Sequence, residues 1–255
     1  MVELKTNGEL AVMREAGRVV AQGLAAVRER AAVGVSLREL DEVAADVLAT
    51  AGAKSPFQHY HPHFAPVPFP AVICLSVNDA VVHGIPNDYR LRDGDLLSAD
   101  FGAGVDGFYG DAAVSFVVGT ARPEDLTLIE RTEAALAAGI AATRVGNRLG
   151  DVSHAIGVIG REAGYGILEG YGGHGIGRSM HEAPSVPNEG RRGRGMPLRV
   201  GLAIAIEPMF LAGGRDPFTT DADGWTLRTT DGSRAAHAEH TVAVTPDGPV
   251  IMTAL

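Results

Sequence analysis

Two histidines, His174 and His181, are read on a glycine-rich loop and its exit, in the stretch YGGHGIGRSMHE, residues 171–182. Neither belongs to an apolar periodic run, and glycine lets backbone approach a ligand closely. Four carboxylates lie in segments that read as strands. Asp100 interrupts the apolar run LLSADFG, Glu207 interrupts LAIAIEP, Asp111 opens an alternating segment, and Glu239 sits in HAEHTVAV. Each acid alone also fits a salt bridge, a turn or a solvated strand face. A carboxylate inside an apolar strand is costly unless paired or bound to metal. Taken together, four acids and His174 make a donor set suited to two hard or borderline divalent cations. Such a pair activates water and polarises a carbonyl or phosphoryl oxygen.

Elements able to carry these residues follow from periodicity. Thr6 with Glu9, and Ser36 with Glu39, spell capping boxes, each followed by apolar residues at helical spacing. The second helix closes at Gly52, and residues 54–70, with five prolines, read as loop. Short strands are expected over 71–77 and 81–83. Longer ones are expected over 96–101 and 107–118, linked by a loop at 102–106. Helices over 120–144 and 149–163 follow, then strands around 201–209, 226–230 and 240–245. The order is helix, helix, strands, twice over. Gly34, Leu37 and Gly52 align at one offset with Gly146, Leu149 and Gly164. Asp100 and Asp111 of a first half (about 1–119) correspond to Glu207 and Glu239 of a second (about 120–255). The expected fold is α/β (α+β), a curved antiparallel sheet with two pseudo-twofold halves and outer helix pairs, in one catalytic domain over 1–255.

Composition sets limits. At 255 residues the chain buries roughly three quarters of its unfolded surface without staples. Its single cysteine, Cys74, excludes an internal disulfide. No apolar run approaches the ~18–20 residues of a membrane span, and the N-terminus lacks the regions of a signal peptide. A net charge of −9 argues against nucleic acid as the main partner. A cytoplasmic monomer is expected.

The motifs NDAVVHGIP (78–86), DFGAGVDGFYGDAA (100–113), GGHGIGRSMHEAP (172–184), IEPMF (206–210), DGWTLRTTDGS (223–233) and EHT (239–241) resemble the type I methionine aminopeptidases among the pita-bread metallopeptidases. The resemblance covers nearly the whole chain, in order and spacing. It implies a dinuclear site of Co, Mn, Fe or Zn held by Asp100, Asp111, His174, Glu207 and Glu239, with Asp111 and Glu239 bridging. It implies that a metal-activated hydroxide removes the initiator methionine from peptide or nascent-chain N-termini. Glu207 would shuttle the proton, His181 would donate to the oxyanion, and His83 would hydrogen-bond the scissile amide. Phe69, Cys74, His83, Met180 and Trp225 would line the methionine pocket, although Cys74 also fits inert core. The chain departs from the family at Met180, where many members carry an aromatic, and at Pro66, where tyrosine is common.

Rival readings are weaker. Pita-bread peptidases acting on proline bonds carry an extra N-terminal domain, for which this chain has no room. A catalytically dead binding protein would have lost ligands, yet all five ligand positions and both His83 and His181 are present. Type II members carry a long insertion between the last two acids, which is absent here. The G-x-G-x-x-G at 102–107 lacks the helix a dinucleotide site needs. HYHPHF (59–64) reads as a loop bordering the cleft rather than as a metal site. The basic run Arg191-Arg192-Gly193-Arg194 reads as a solvated face or a transient ribosome contact.

Overall fold

The computed structural model describes residues 2–63 and 65–255. The HYHPHF motif therefore ends one residue outside the described set, at Phe64. Two capped helices open the chain, α1 (Asn7–Arg30) and α2 (Leu37–Ala51). Both capping boxes form, Thr6 with Glu9 and Ser36 with Glu39, and Gly52 closes α2 in a left-handed conformation. Strands β1 (Ile73–Val77), β2 (Ala80–Val82), β3 (Asp95–Val105) and β4 (Phe108–Val118) follow. A second helix pair, α3 (Pro123–Ala142) and α4 (Leu149–Glu162), precedes the remaining short strands. These are β5 (Gly166–Ile167), β6 (Gly172–Gly175), β7 (Glu182–Pro187), β8 (Ala203–Ile206), β9 (Met209–Leu211), β10 (Phe218–Thr220), β11 (Leu227–Thr229), β12 (Ala235–His237), β13 (Glu239–Thr245) and β14 (Gly248–Ile251).

The main sheet is antiparallel, in the order β1-β3-β4-β13-β8-β6-β7, with β14 added to β13. Two smaller three-stranded sheets flank it, β10-β11-β2 and β12-β9-β5. Helices α1 and α2 pack on Leu97, Ala99, Phe101, Ala103, Ala112 and Phe116 of β3 and β4. Helices α3 and α4 pack mainly on Ile204, Ile206, Val242 and Val244 of β8 and β13. The helix pairs thus cover one face of the curled sheet, as expected.

Period-two alternation then sends the intervening residues to the other face. Phe101 faces Ala112 across the β3–β4 ladder on the helix side, so Asp100 and Asp111 project inward. On β13, His240 lies opposite Ala112 and Glu239 opposite Ala113, which puts Glu239 on the same inner face as Asp100. The apolar neighbours that make these acids look misplaced in sequence are the helix-facing half of each strand.

Two expectations about loops are corrected. Residues 102–105 are not a loop: β3 runs through Val105, and the turn is the two residues Asp106 and Gly107, both at positive φ. An Asp-Gly pair supplies the backbone a tight hairpin between right-twisted strands requires. The G-x-G-x-x-G string is therefore a hairpin, with no helix after it. Likewise His174 lies on β6 rather than on a glycine-rich loop. The glycines beside it permit close strand approach: a Cβ on Gly173 would stand 2.1 Å from the Ala205 carbonyl oxygen.

Candidate metal centre

The inner face closes around a cavity of about 360 Å³. Asp100, Asp111, His174, Glu207 and Glu239 line it, together with His83, His181, Phe69, Cys74, Met180 and Trp225. Every site residue expected from sequence is therefore at one place. They come from β1, β3, β4, β6, β13, the connection before β1 and the connections around β2, β7, β8 and β11, far apart in the chain.

Local bonds fix the carboxylates and His174. Thr241 Oγ1 accepts from the Asp111 amide at 2.9 Å and donates to the Asp111 carbonyl at 2.9 Å, locking β4 to β13 at the acid. Asn188 Nδ2 donates to the Glu207 carbonyl at 3.0 Å. His174 Nδ1 lies 2.9 Å from the Gly175 carbonyl, which leaves Nε2 free to face Glu207 Oε1 at 3.6 Å.

Electrostatically the site is incomplete. Asp100 Oδ1, Asp111 Oδ1 and Glu239 Oε1 are buried with no hydrogen-bond partner among the described residues. Burial pushes Asp100 up to about 7. Burial, then the charge of Asp100, raises Asp111 well above the usual carboxylate range. Burial and Asp111 do the same to Glu239. Burial also acts upward on Glu207, but the imidazoles of His237 and His174 outweigh it and hold this carboxyl below its ordinary value. Clustered buried carboxylates with orphaned oxygens are the donor set that divalent cations satisfy. Ligand atoms of Asp111, His174 and Glu239 lie within 4.8 Å of one another, as do those of Glu207, His237 and Glu239. The residues present therefore fit a metal centre in which Glu239 is shared.

The remaining cavity wall is apolar and aromatic. Phe57, Phe69 and Trp225 stack edge-to-face, with centroids 6.4 and 5.1 Å apart. Trp225 Nε1 donates to the Val67 carbonyl at 2.9 Å, which orients the indole. Met180 and Cys74 complete this cluster, and burial pushes the Cys74 thiol far up, so it stays protonated. Pro66 is exposed and packs under Gly224 instead of entering the cavity.

His181 stacks between His174 and Tyr60, at centroid distances of 4.3 and 5.4 Å. Burial, then the His174 ring, lowers His181 to about 4. Burial lowers His83 to about 4. Both are neutral near pH 7, each with one donor nitrogen. His83 adopts a positive φ of 61°, a conformation seldom used by side-chain-bearing residues and retained where surroundings demand it.

Four residues at the centre escape the sequence reading. Phe57, Tyr60 and Tyr171 line the cavity from irregular segments, where periodicity gives no direction. His237 reaches Glu207 and Glu239 at 3.6 and 3.8 Å. Its signal was available: it stands two residues before Glu239, the strand spacing that shares a face. HYHPHF does border the cleft, through Tyr60. The basic run 191–194 is exposed. No helix among the described residues is long and apolar enough to cross a membrane.

A model of metallopeptidase family M24 matches residues 11–246. Methionine aminopeptidase 1 of Mycobacterium tuberculosis is 51% identical over 260 residues, covering 99% of this chain and 95% of the relative. The Aquifex aeolicus methionine aminopeptidase is 43% identical over 257 residues, covering 100% and 99%. The solved methionine aminopeptidase of Thermotoga maritima matches at a TM-score of 0.95 and 37% identity, with all of both chains covered. Prolidase from Pyrococcus furiosus, at 22% identity and a TM-score of 0.79 over 65% of its length, shares the pita-bread fold alone. A buried acidic centre on a curled sheet, and identity along nearly the full length of enzymes of one kind, lead to one statement: the chain belongs to metallopeptidase family M24, among its methionine aminopeptidases.

Proposed function

We propose that residues 1–255 form one catalytic unit that removes the initiator methionine from peptide and nascent-chain N-termini, in the manner of the type I enzymes. The observation that carries this is the juxtaposition in one cavity of five metal-competent side chains and an apolar wall. Asp100, Asp111, His174, Glu207 and Glu239 would hold two divalent ions, with Asp111 and Glu239 shared between them. Oxygen donors with imidazole accept Mn, Fe, Co or Zn. Ions held there would supply a nucleophile from water at neutral pH and would polarise the scissile carbonyl.

The chain's own residues do the rest. Phe69, Met180 and Trp225, with Cys74, offer polarizable walls to a thioether side chain. The carboxylates beside this wall attract the free α-amine, which selects the first residue of a peptide. Glu207, held below its ordinary value by two imidazoles, is ionised and ready to take the proton of the attacking water. His181 and His83, both neutral, donate to the carbonyl oxygen and approach the amide nitrogen respectively.

The test is to strip metal with a chelator, restore single ions, and assay Met-Ala-Ser against Ala-Pro peptides. Metal-dependent methionine release is expected, and its absence overturns the reading. A nascent-chain substrate also assigns the exposed Arg191, Arg192 and Arg194 to a transient ribosome contact in the cytoplasm. Unchanged ribosome co-sedimentation after their replacement by Ser ends that part of the proposal. A monomer is expected by sedimentation.

A further inference from the structure

His237 ends β12 with a side chain only 2% exposed, and both of its ring nitrogens lack a hydrogen-bond partner among the described residues. An imidazole left so in a core is disfavoured unless something claims it. Its position in the fold is specific. His237 faces Met209 across the β12–β9 ladder, so it lies beside the segment that carries Glu207 two residues earlier. It also precedes Glu239 by two residues, while Ala238 between them turns into the helix-packed core. Its Nε2 stands 3.6 Å from Glu207 Oε2 and 3.8 Å from Glu239 Oε2.

Glu207 is thereby bracketed by two imidazoles, His174 at Oε1 and His237 at Oε2. The two rings are not equivalent. His174 lines the cavity, and its Nδ1 is held by the Gly175 carbonyl, the arrangement expected of a metal ligand. His237 is not among the residues lining the cavity, and its Nδ1 has no hydrogen-bond partner among the described residues. It approaches the carboxylates from behind.

We propose that His237 is a positioning residue for the metal centre: its Nε2–H donates to Glu207 Oε2 and keeps Oε1 turned to His174 and the cavity. Two carboxylates close to Nε2 and none assigned to Nδ1 place the ring proton on Nε2. The contact needs to shorten by roughly half an ångström to become a hydrogen bond, a shift that closing the carboxylates around cations would bring. With Oε2 so held, Glu207 would keep Oε1 toward His174 and the cavity and would not swing away from Glu239. The inference rests on the two-metal reading above, and it assigns the chain an outer contact that this reading does not require.

The test compares His237→Leu and His237→Gln with the wild-type chain by calorimetric titration of metal-free protein with Mn²⁺ alone. His237→Leu is expected to weaken one of the two binding events 10–100-fold and to lower kcat on Met-Ala-Ser with little change in KM. His237→Gln, which keeps a donor at similar reach, is expected to restore both to within a few-fold. A second measurement needs no variant: histidine ¹⁵N shifts of the zinc-loaded wild-type chain should show Nε2 of His237 still protonated. Unchanged Mn²⁺ affinity in His237→Leu overturns the role, as does a Gln variant no better than Leu, or a metal-bound Nε2. If His237→Leu does not fold, the nitrogen shift decides. A wild-type chain that takes up no metal instead fails the proposed function itself, and the two failures are told apart by that control.

Discussion

Asp111 faces Gly102 across the β3–β4 ladder, and Asp100, two residues before Gly102, faces Ala113, so the two acids are diagonal neighbours on one buried face. Their closeness and burial make them hold protons. Burial raises Asp100 from its ordinary 3.8 to about 7, and burial with the charge of Asp100 raises Asp111 well above its ordinary range. A carboxyl raised in the folded state contributes stability in full below its unfolded value and loses it as pH rises through the folded one. Metal-free protein should therefore lose stability between about pH 4 and 7 on account of Asp100, with Asp111 adding to the loss as pH rises. Cations require the ionised form, so metal uptake near pH 6.5 should release at least one proton per chain and should tighten as pH rises. Calorimetric titration in buffers of different ionisation enthalpy counts those protons, and a count of zero would contradict the shared buried site.

Close strand approach at the centre predicts opposite outcomes for two glycines. A Cβ at Gly173 would lie 2.1 Å from the backbone oxygen of Ala205, which no side-chain rotation relieves. Gly173→Ala should cost about 1–3 kcal/mol or more and displace His174 next to it. Gly8, in the first turn of α1, has nothing within 4 Å of the same atom. Gly8→Ala should stabilise by up to about 1 kcal/mol. Urea midpoints of the two variants, measured side by side on metal-free protein, should move in opposite directions.

The parts of this molecule legible in sequence are those where one physical rule acts locally. Thr6, Ser36 and Gly52 announce their helix ends because capping is a matter of a few neighbouring residues. Asp100 and Glu207 stand out because a charge in an apolar strand violates its surroundings. The strand extension through 102–105 was hidden, since its two glycines mimic a loop while the Asp106-Gly107 turn suffices. Strands β5, β10 and β12 are only two or three residues long, too short to show a period. Tyr60 and Tyr171 reach the cavity from irregular backbone, where only tertiary contacts decide direction. His237 could have been found from its spacing to Glu239, but AAHAEHT holds two histidines, His237 and His240, and gives no reason to prefer either until Glu207 is placed beside His237.

The N-terminal segment is tied to the site by a buried charge. Lys5 Nζ contacts Glu182 Oε2 at 2.7 Å, with side chains 1% and 17% exposed, directly after His181 in sequence. Glu182 Oε1 also accepts from the Ser179 amide at 2.9 Å. Although burial acts upward, these bonds hold Glu182 below its ordinary 4.5. A lowered carboxyl contributes stability in full above its unfolded value and loses it as pH falls through the folded one. Lys5→Ala strands the carboxylate and should cost roughly 3 kcal/mol near pH 7. The difference in thermal midpoint between variant and wild type should narrow below about pH 4. A gap that stays constant into acid would show that Lys5 acts through packing on Gly177 rather than through charge.

His181 offers the sharpest separation of binding from chemistry. Its ring stacks on His174 at 4.3 Å and on Tyr60 at 5.4 Å, so it is held beside the metal ligands without needing to join them. Lowered to about 4 by burial and by His174, it is a neutral donor throughout the working pH range. A neutral donor pre-aimed at a developing oxyanion is worth about 10²–10³ in kcat, and little in ground-state binding. His181→Ala should therefore lower kcat by that factor with KM nearly unchanged, and metal affinity should stay as in the wild type because His174 remains. His181→Gln, which keeps an N–H, should recover part of the loss. Since His181 does not titrate until about pH 4, removing it should not shift any acidic limb of the pH–rate profile above pH 5. A His181→Ala variant with near wild-type kcat would remove the oxyanion role, and one that lost metal would mean the ring supports His174 instead.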